Sequence, residues 1–155
     1  MPGLREQFNE ALKEAMRAKD QRRVSTLRLI LAALKERDIA SRTEGRNAGV
    51  PDSDILPMLQ KMAKQRDESI QMYEQGGRKD LATQEREEKA IIESYLPKQM
   101  GADEMKAVAQ KVIAELGAKG MKDMGRTIAE LKARYAGQMD FAKVSAMVKD
   151  ILSTP

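Results

Sequence analysis

Cysteine, histidine and tryptophan are absent from these 155 residues, and 2 Phe and 3 Tyr are the whole aromatic complement. Without cysteine there is no thiolate nucleophile, disulfide, iron–sulfur cluster or thiolate zinc site. Without histidine the commonest general base and the commonest transition-metal ligand are both missing. Hydrolases built on Ser-His-Asp or Cys-His are excluded. Carboxylate or lysine chemistry is what remains, and the balance favours a binding or accessory protein with no catalytic residues, cofactor or metal. Long apolar runs are missing too: none approaches the roughly 20 residues of a bilayer span. The first nine residues carry acid early and no apolar stretch, so neither a signal peptide nor a membrane partner is expected. Zero cysteine suits a reducing compartment, and the expected location is cytoplasmic.

What is present is charge and helical rhythm. The chain is 34% charged and 41% hydrophobic, enough to fill a modest core. Its net charge of +4 is unevenly spread. Residues 1–97 hold 18 basic and 17 acidic side chains, whereas residues 98–155 hold 10 and 7. Attraction to an anionic partner should therefore be strongest in the trailing part.

Apolar residues recur at three-and-four spacing almost throughout, which predicts an all-α protein. Leu4, Phe8, Ala11, Leu12 and Ala15 mark a first helix. Val24, Leu27, Ile30, Leu31 and Leu34 mark a second over residues 22–39, and Leu29, Ala32 and Ala33 put apolar surface on its other sides. Such a helix belongs in the centre of a bundle. Arg28 within it reads as a snorkelling or ion-paired structural residue. Residues 41–50 read as a polar loop. A third helix starts near Asp52 or Asp54, either able to cap it, with Asp54 favoured because Pro57 then falls in the first turn, and carries the stripe Ile55, Leu59, Met62, Arg66, Ile70, Tyr73. It stops at Gly76-Gly77, and Asp80 is the expected cap of the fourth helix. Folding back at Gly77 sets Leu59 against Leu96 and Met62 against Ile92. The same register brings Arg66 to Glu88, with Glu85 as the next candidate, a cross-hairpin ion pair.

Leu96-Pro97 ends the fourth helix and is the expected domain boundary. The expected layout is an N-terminal bundle of about four helices (1–97) and a C-terminal three-helix domain (98–155). The latter carries stripes on Met105, Val108, Val112 and Leu116, then Met124, Ile128, Leu131 and Tyr135, then Val144, Val148 and Leu152 behind an Asp140 cap. Most of the eleven methionines, Met62, Met105, Met124 and Met147 among them, fall on such stripes and read as core filler.

Two constellations bear on function. In residues 117–126 glycines bracket a helix start among Lys119, Lys122 and Arg126, an arrangement suited to phosphate. The competing reading, an ordinary interhelix turn capped by Asp123, is favoured over it, because Asp123 also repels an anion. It lacks the Gly-Lys-Ser/Thr ending of a nucleotide-binding loop. The acidic run Glu85, Glu87, Glu88 is interleaved with Arg86 and Lys89, which argues for a solvated, ion-paired face over metal ligation. So few aromatics offer no platform for stacking unpaired bases, but recognition of a folded RNA by shape and phosphates stays open.

Lys64-Gln65-Arg66-Asp67-Glu68-Ser69, Tyr73, Gly77-Arg78-Lys79-Asp80-Leu81-Ala82 and Glu85 form a distinctive block. With Tyr95-Leu96-Pro97-Lys98-Gln99-Met100, Lys122-Asp123-Met124-Gly125-Arg126, Val144, Val148 and Lys149, the chain resembles the GatB/YqeY family over essentially its whole length. Phe141 departs from the pattern, which has a small residue after Asp140. The resemblance implies a two-domain helical fold and a link to transamidation of misacylated tRNA. In the B subunit of the glutamine-dependent tRNA amidotransferase the similar tail touches the tRNA elbow, while other domains catalyse; a similar piece is appended to some glutaminyl-tRNA synthetases. The leading expectation is a non-catalytic tRNA-binding accessory protein. Lys119, Lys122, Arg126, Lys132 and Arg134 are its candidate phosphate contacts. One alternative, also implied by the family, is a contributor to carbon–nitrogen ligase activity with glutamine as amido donor, working with an amidotransferase or aminoacyl-tRNA synthetase partner. A second is a helical protein-interaction scaffold using the Gly77 hairpin.

Overall fold

A computed structural model describes residues 3–45 and 48–154. Among the described residues the regular structure is all helical: α1 (Leu4–Ala18), α2 (Gln21–Thr43), α3 (Asp52–Gln75), α4 (Lys79–Glu93), α5 (Ala102–Leu116), α6 (Met124–Tyr135) and α7 (Phe141–Ser153), with one 3-10 turn at Met121–Asp123. The all-α class expected from apolar spacing is the one observed. None of these helices is long and apolar enough to cross a membrane. The backbone groups into two compact units, Met1–Pro97 and Lys98–Pro155.

In the first unit, α1 to α4 close around Phe8, Leu27, Ile30, Leu34, Ile55, Leu59 and Ile92, all essentially inaccessible. Burying each such side chain stabilises the fold by about 1.5–3 kcal/mol. The Phe8 ring meets Tyr95 edge-on, centroids 5.0 Å apart. Leu59, Leu96, Met62 and Ile92 share this core, as the fold-back of α4 on α3 requires. The hairpin turns at Gly77, whose φ of 73° lies in the left-handed region, while Arg78 N–H reaches Tyr73 O at 2.8 Å.

Several local expectations are corrected here. α2 starts one residue earlier and runs to Thr43, four residues beyond the expected end. Its C-terminal part is held from outside the helix: Asp38 accepts from Arg5 Nη1 at 2.6 Å, Arg5 Nη2 at 3.0 Å and Val50 N–H at 2.9 Å. Ser41 therefore belongs to the helix; Arg46 and Asn47 of the expected loop lie outside the described residues. α2 is also not enclosed on all sides, because Leu29 is 44% and Ile39 51% exposed, and Arg28 is exposed with no ion pair among the described residues. Lastly, α3 starts at Asp52, the other of the two expected starts, and places Pro57 inside the helix. Asp54 does not begin the helix, and the Asp52 carboxylate instead accepts the Leu4 amide at 3.3 Å, serving the first turn of α1. Likewise Asp80 sits within the first turn of α4 and holds Arg78, the residue at the cap position.

The second unit packs α5, α6 and α7 around Met105, Ala109, Val112, Leu131, Met139, Val144, Val148 and Leu152. Met139 is fully buried although it stands in a turn, where no periodicity marks it. The entering chain is pinned there by Gln99 Nε2 donating to Gly137 O at 2.6 Å and Met100 N–H donating to Gln138 O at 2.9 Å. Asp140 caps α7, accepting from the amides of Ala142 and Lys143.

Candidate nucleic-acid interface

α5 ends on Gly117, which at φ 63° lets Ala118 N–H return to Ile113 O at 3.0 Å. The chain then enters the 3-10 turn that leads into α6. Asp123 organises this corner. Its carboxylate accepts the Lys119 amide at 2.7 Å and Arg126 Nε at 2.9 Å, and makes no capping bond to α6. The Lys119 amide, then the Arg126 guanidinium, hold its pKa below the usual carboxylate range. An internal carboxylate thus occupies groups that would otherwise greet a phosphate. The side chains of Lys119 and Lys122 are exposed and pair with no carboxylate among the described residues.

The other two candidate cations lie further along α6. Arg134 bridges two helices, with Nη1 2.6 Å from Glu115 of α5 and Nε 2.8 Å from Glu130 of its own helix. Glu115 first, then Glu130, raise its pKa, and the same contact lowers that of Glu115. Much of its charge is compensated. Lys132 Nζ stands 6.0 Å from the centroid of the Phe141 ring, at the outer reach of a cation–π contact. Two residues apart on a helix, Lys132 and Arg134 point to different sides. The structure therefore gathers Lys119 and Arg126 through Asp123, and separates Lys132 from Arg134.

The hairpin of the first unit holds a second charged cluster. Arg66 Nε lies 3.4 Å from Glu88 Oε2 and 3.7 Å from Glu85 Oε2, with all three side chains largely buried. Nε itself donates no hydrogen bond, so the pairing is electrostatic and imperfectly aligned. Burial, then the like charge of Glu88, raise the Glu85 pKa. Glu87 turns away to Arg22 of α2 at 3.1 Å, Lys89 takes Asp67 at 2.7 Å, and Arg86 pairs with Glu74. The acidic run of α4 is spent on the cations of α2 and α3.

One concentration of positive charge escaped the reading by halves. Arg17, Lys19, Arg22, Arg23 and Arg28 stand within twelve residues, and the one acid among them, Asp20, is engaged in capping α2 through Arg23 N–H at 3.1 Å. The near-neutral total of residues 1–97 conceals it, and a short sliding window of charge would have found it.

The model of the Yqey-like protein family matches residues 5–152. The chain belongs to that family. Curated relatives are also similar to it, each named "Altered inheritance of mitochondria protein 41, mitochondrial". That of Eremothecium gossypii is 33% identical over 111 residues, covering 70% of this chain and 58% of the relative. Those of Vanderwaltozyma polyspora and Saccharomyces cerevisiae are 32% and 34% identical over 85 residues, 55% of this chain and 44% of each relative. The matched segment thus spans about half the length of these relatives. Their mitochondrial names overturn the cytoplasmic expectation. Absence of cysteine suits any reducing compartment and carries no address.

Proposed function

We propose that this family member is a non-catalytic RNA-binding accessory protein whose unit 98–155 grips the phosphates of folded tRNA. The observation that carries the reading is the pair of exposed ammonium groups of Lys119 and Lys122 beside the α6 turn, neither ion-paired among the described residues, in the unit holding 10 basic and 7 acidic residues. Lys132 adds a third cation, steadied by Phe141. Arg126 and Arg134 contribute less direct charge, since each is engaged by carboxylates. The mitochondrial names of the relatives favour organellar tRNA as the first ligand to try.

Filter binding of the full chain to tRNA tests this. Affinity should fall steeply as salt rises, with log K linear in log salt. Lys119→Glu combined with Lys122→Glu should weaken binding by about tenfold or more and flatten the salt slope. Equal affinity of the double variant and the unaltered chain, or no binding at low salt, removes the proposal.

A further inference from the structure

α2 turns its inner side, with Thr26, Leu27, Ile30 and Leu34, to the core of its unit and leaves its outer side open. Along that outer side run Ser25, Leu29, Ala32, Glu36, Ile39 and Thr43, alternately four and three residues apart. This is the seam spacing of helices that pair lengthwise. Leu29 and Ile39 are among the most exposed large apolar side chains of the described residues, at 44% and 51%. One flank of the row carries Arg28, Lys35 and Arg42 at intervals of seven, all exposed and none ion-paired among the described residues. The opposite flank carries Ala33 and Ala40. Where the row begins, an open groove of about 300 Å³ lies among Met16, Lys19, Gln21, Val24 and Arg28.

We propose that the outer face of α2 docks an acidic amphipathic helix of a partner protein. Charge selects this occupant. A second copy of this chain offers only cations and alanines along the same flanks, so an antiparallel pairing sets cation on cation and a parallel one supplies no acid. A phosphate backbone or an anionic bilayer would match the cation flank but set like charge against Glu36, in the middle of the row. A partner helix meets every feature: apolar residues over Leu29, Ala32 and Ile39, Glu or Asp along the flank facing Arg28, Lys35 and Arg42, and one Lys opposite Glu36. That last pair fixes the register, as a lone polar residue does in a coiled-coil seam. Residues 25–43 offer about 27 Å of helix, enough for a partner of about five turns. This inference stands independently of tRNA binding.

The test uses the full chain and a fluorescent synthetic helix of about nineteen residues, with Leu at the facing positions, Glu along one flank and one Lys placed for Glu36. Saturable binding is expected. Leu29→Glu with Ile39→Glu should weaken it by about tenfold or more, and added salt should weaken it further, while circular dichroism shows these exposed substitutions leave the fold intact. Glu36→Lys should also weaken it, and a probe carrying Glu in place of its Lys should restore it. Absence of binding, or binding indifferent to all three substitutions, overturns the proposal. So does self-association of the pure protein, or its sedimentation with phosphatidylglycerol vesicles or tRNA, that depends on Leu29 and Ile39 while the probe fails to bind.

Discussion

Asp38 shows how much a single side chain can organise in a small helical protein. It closes the end of α2 by accepting from Arg5, 33 residues earlier, and from the amide of Val50, twelve residues later. The Arg5 guanidinium holds its pKa below the usual carboxylate range, with burial opposing. A lowered folded pKa means the stabilisation is present above the unfolded value, near 4, and is lost as pH falls through the folded one. Asp38→Asn should cost roughly 2–3 kcal/mol at neutral pH and make the loss of stability in acid shallower, read from urea midpoints across pH. Glu85 should behave oppositely. Its raised pKa contributes stability below the unfolded value that is lost as pH rises through the folded one. Glu85→Gln should therefore be more stable than the unaltered chain at neutral pH and converge with it in acid. Of these contacts, that of Arg66 with Glu85 and Glu88 was legible, because a cation on an apolar stripe and one hairpin register suffice to place it. The Arg5–Asp38 contact was not, since neither residue interrupts a stripe.

At the level of the helix, the stripes and the glycine stops read directly, and of the expected caps Asp140 alone did. Asp140 caps α7 through local bonds from the amides of Ala142 and Lys143, two and three residues on, which its sequence position alone permits. Asp52, Asp80 and Asp123 are equally good capping residues by type, yet each serves a cation or a remote amide. Backbone conformation at the turns gives a paired prediction. Gly77 sits at φ 73° with nothing within 4 Å of an added Cβ, so Gly77→Ala pays for conformation alone, about 1 kcal/mol. Lys19 takes the same left-handed conformation at φ 57°, between α1 and α2, without being glycine. Lys19→Gly should raise stability by up to about 1 kcal/mol. Chemical denaturation of both variants checks the opposed signs.

Across the whole molecule, the core residues form two clusters with no member in common. Leu131→Ala should destabilise unit 98–155 by about 2–5 kcal/mol. Amide exchange should then quicken in α5, α6 and α7 while protection in α1 to α4 is kept; uniform loss of protection would mean that the two cores unfold as one. The candidate interface was legible as an excess of lysine and arginine in that unit, because charge is a property of composition. Which of those cations are free was not. Arg134 loses its independence to Glu115, nineteen residues away in sequence, and Arg126 to Asp123.

Apolar period, the missing histidine and cysteine, and the glycine stops are local facts. By themselves they determined helical class, helix order and the exclusion of thiol and imidazole chemistry. Tertiary structure decided where each charge ends, which face of α2 stays open, and whether an aspartate caps its own helix or serves another. Those outcomes depend on groups brought together from distant positions by burial, and a stripe specifies which side is apolar without specifying what lies across from it.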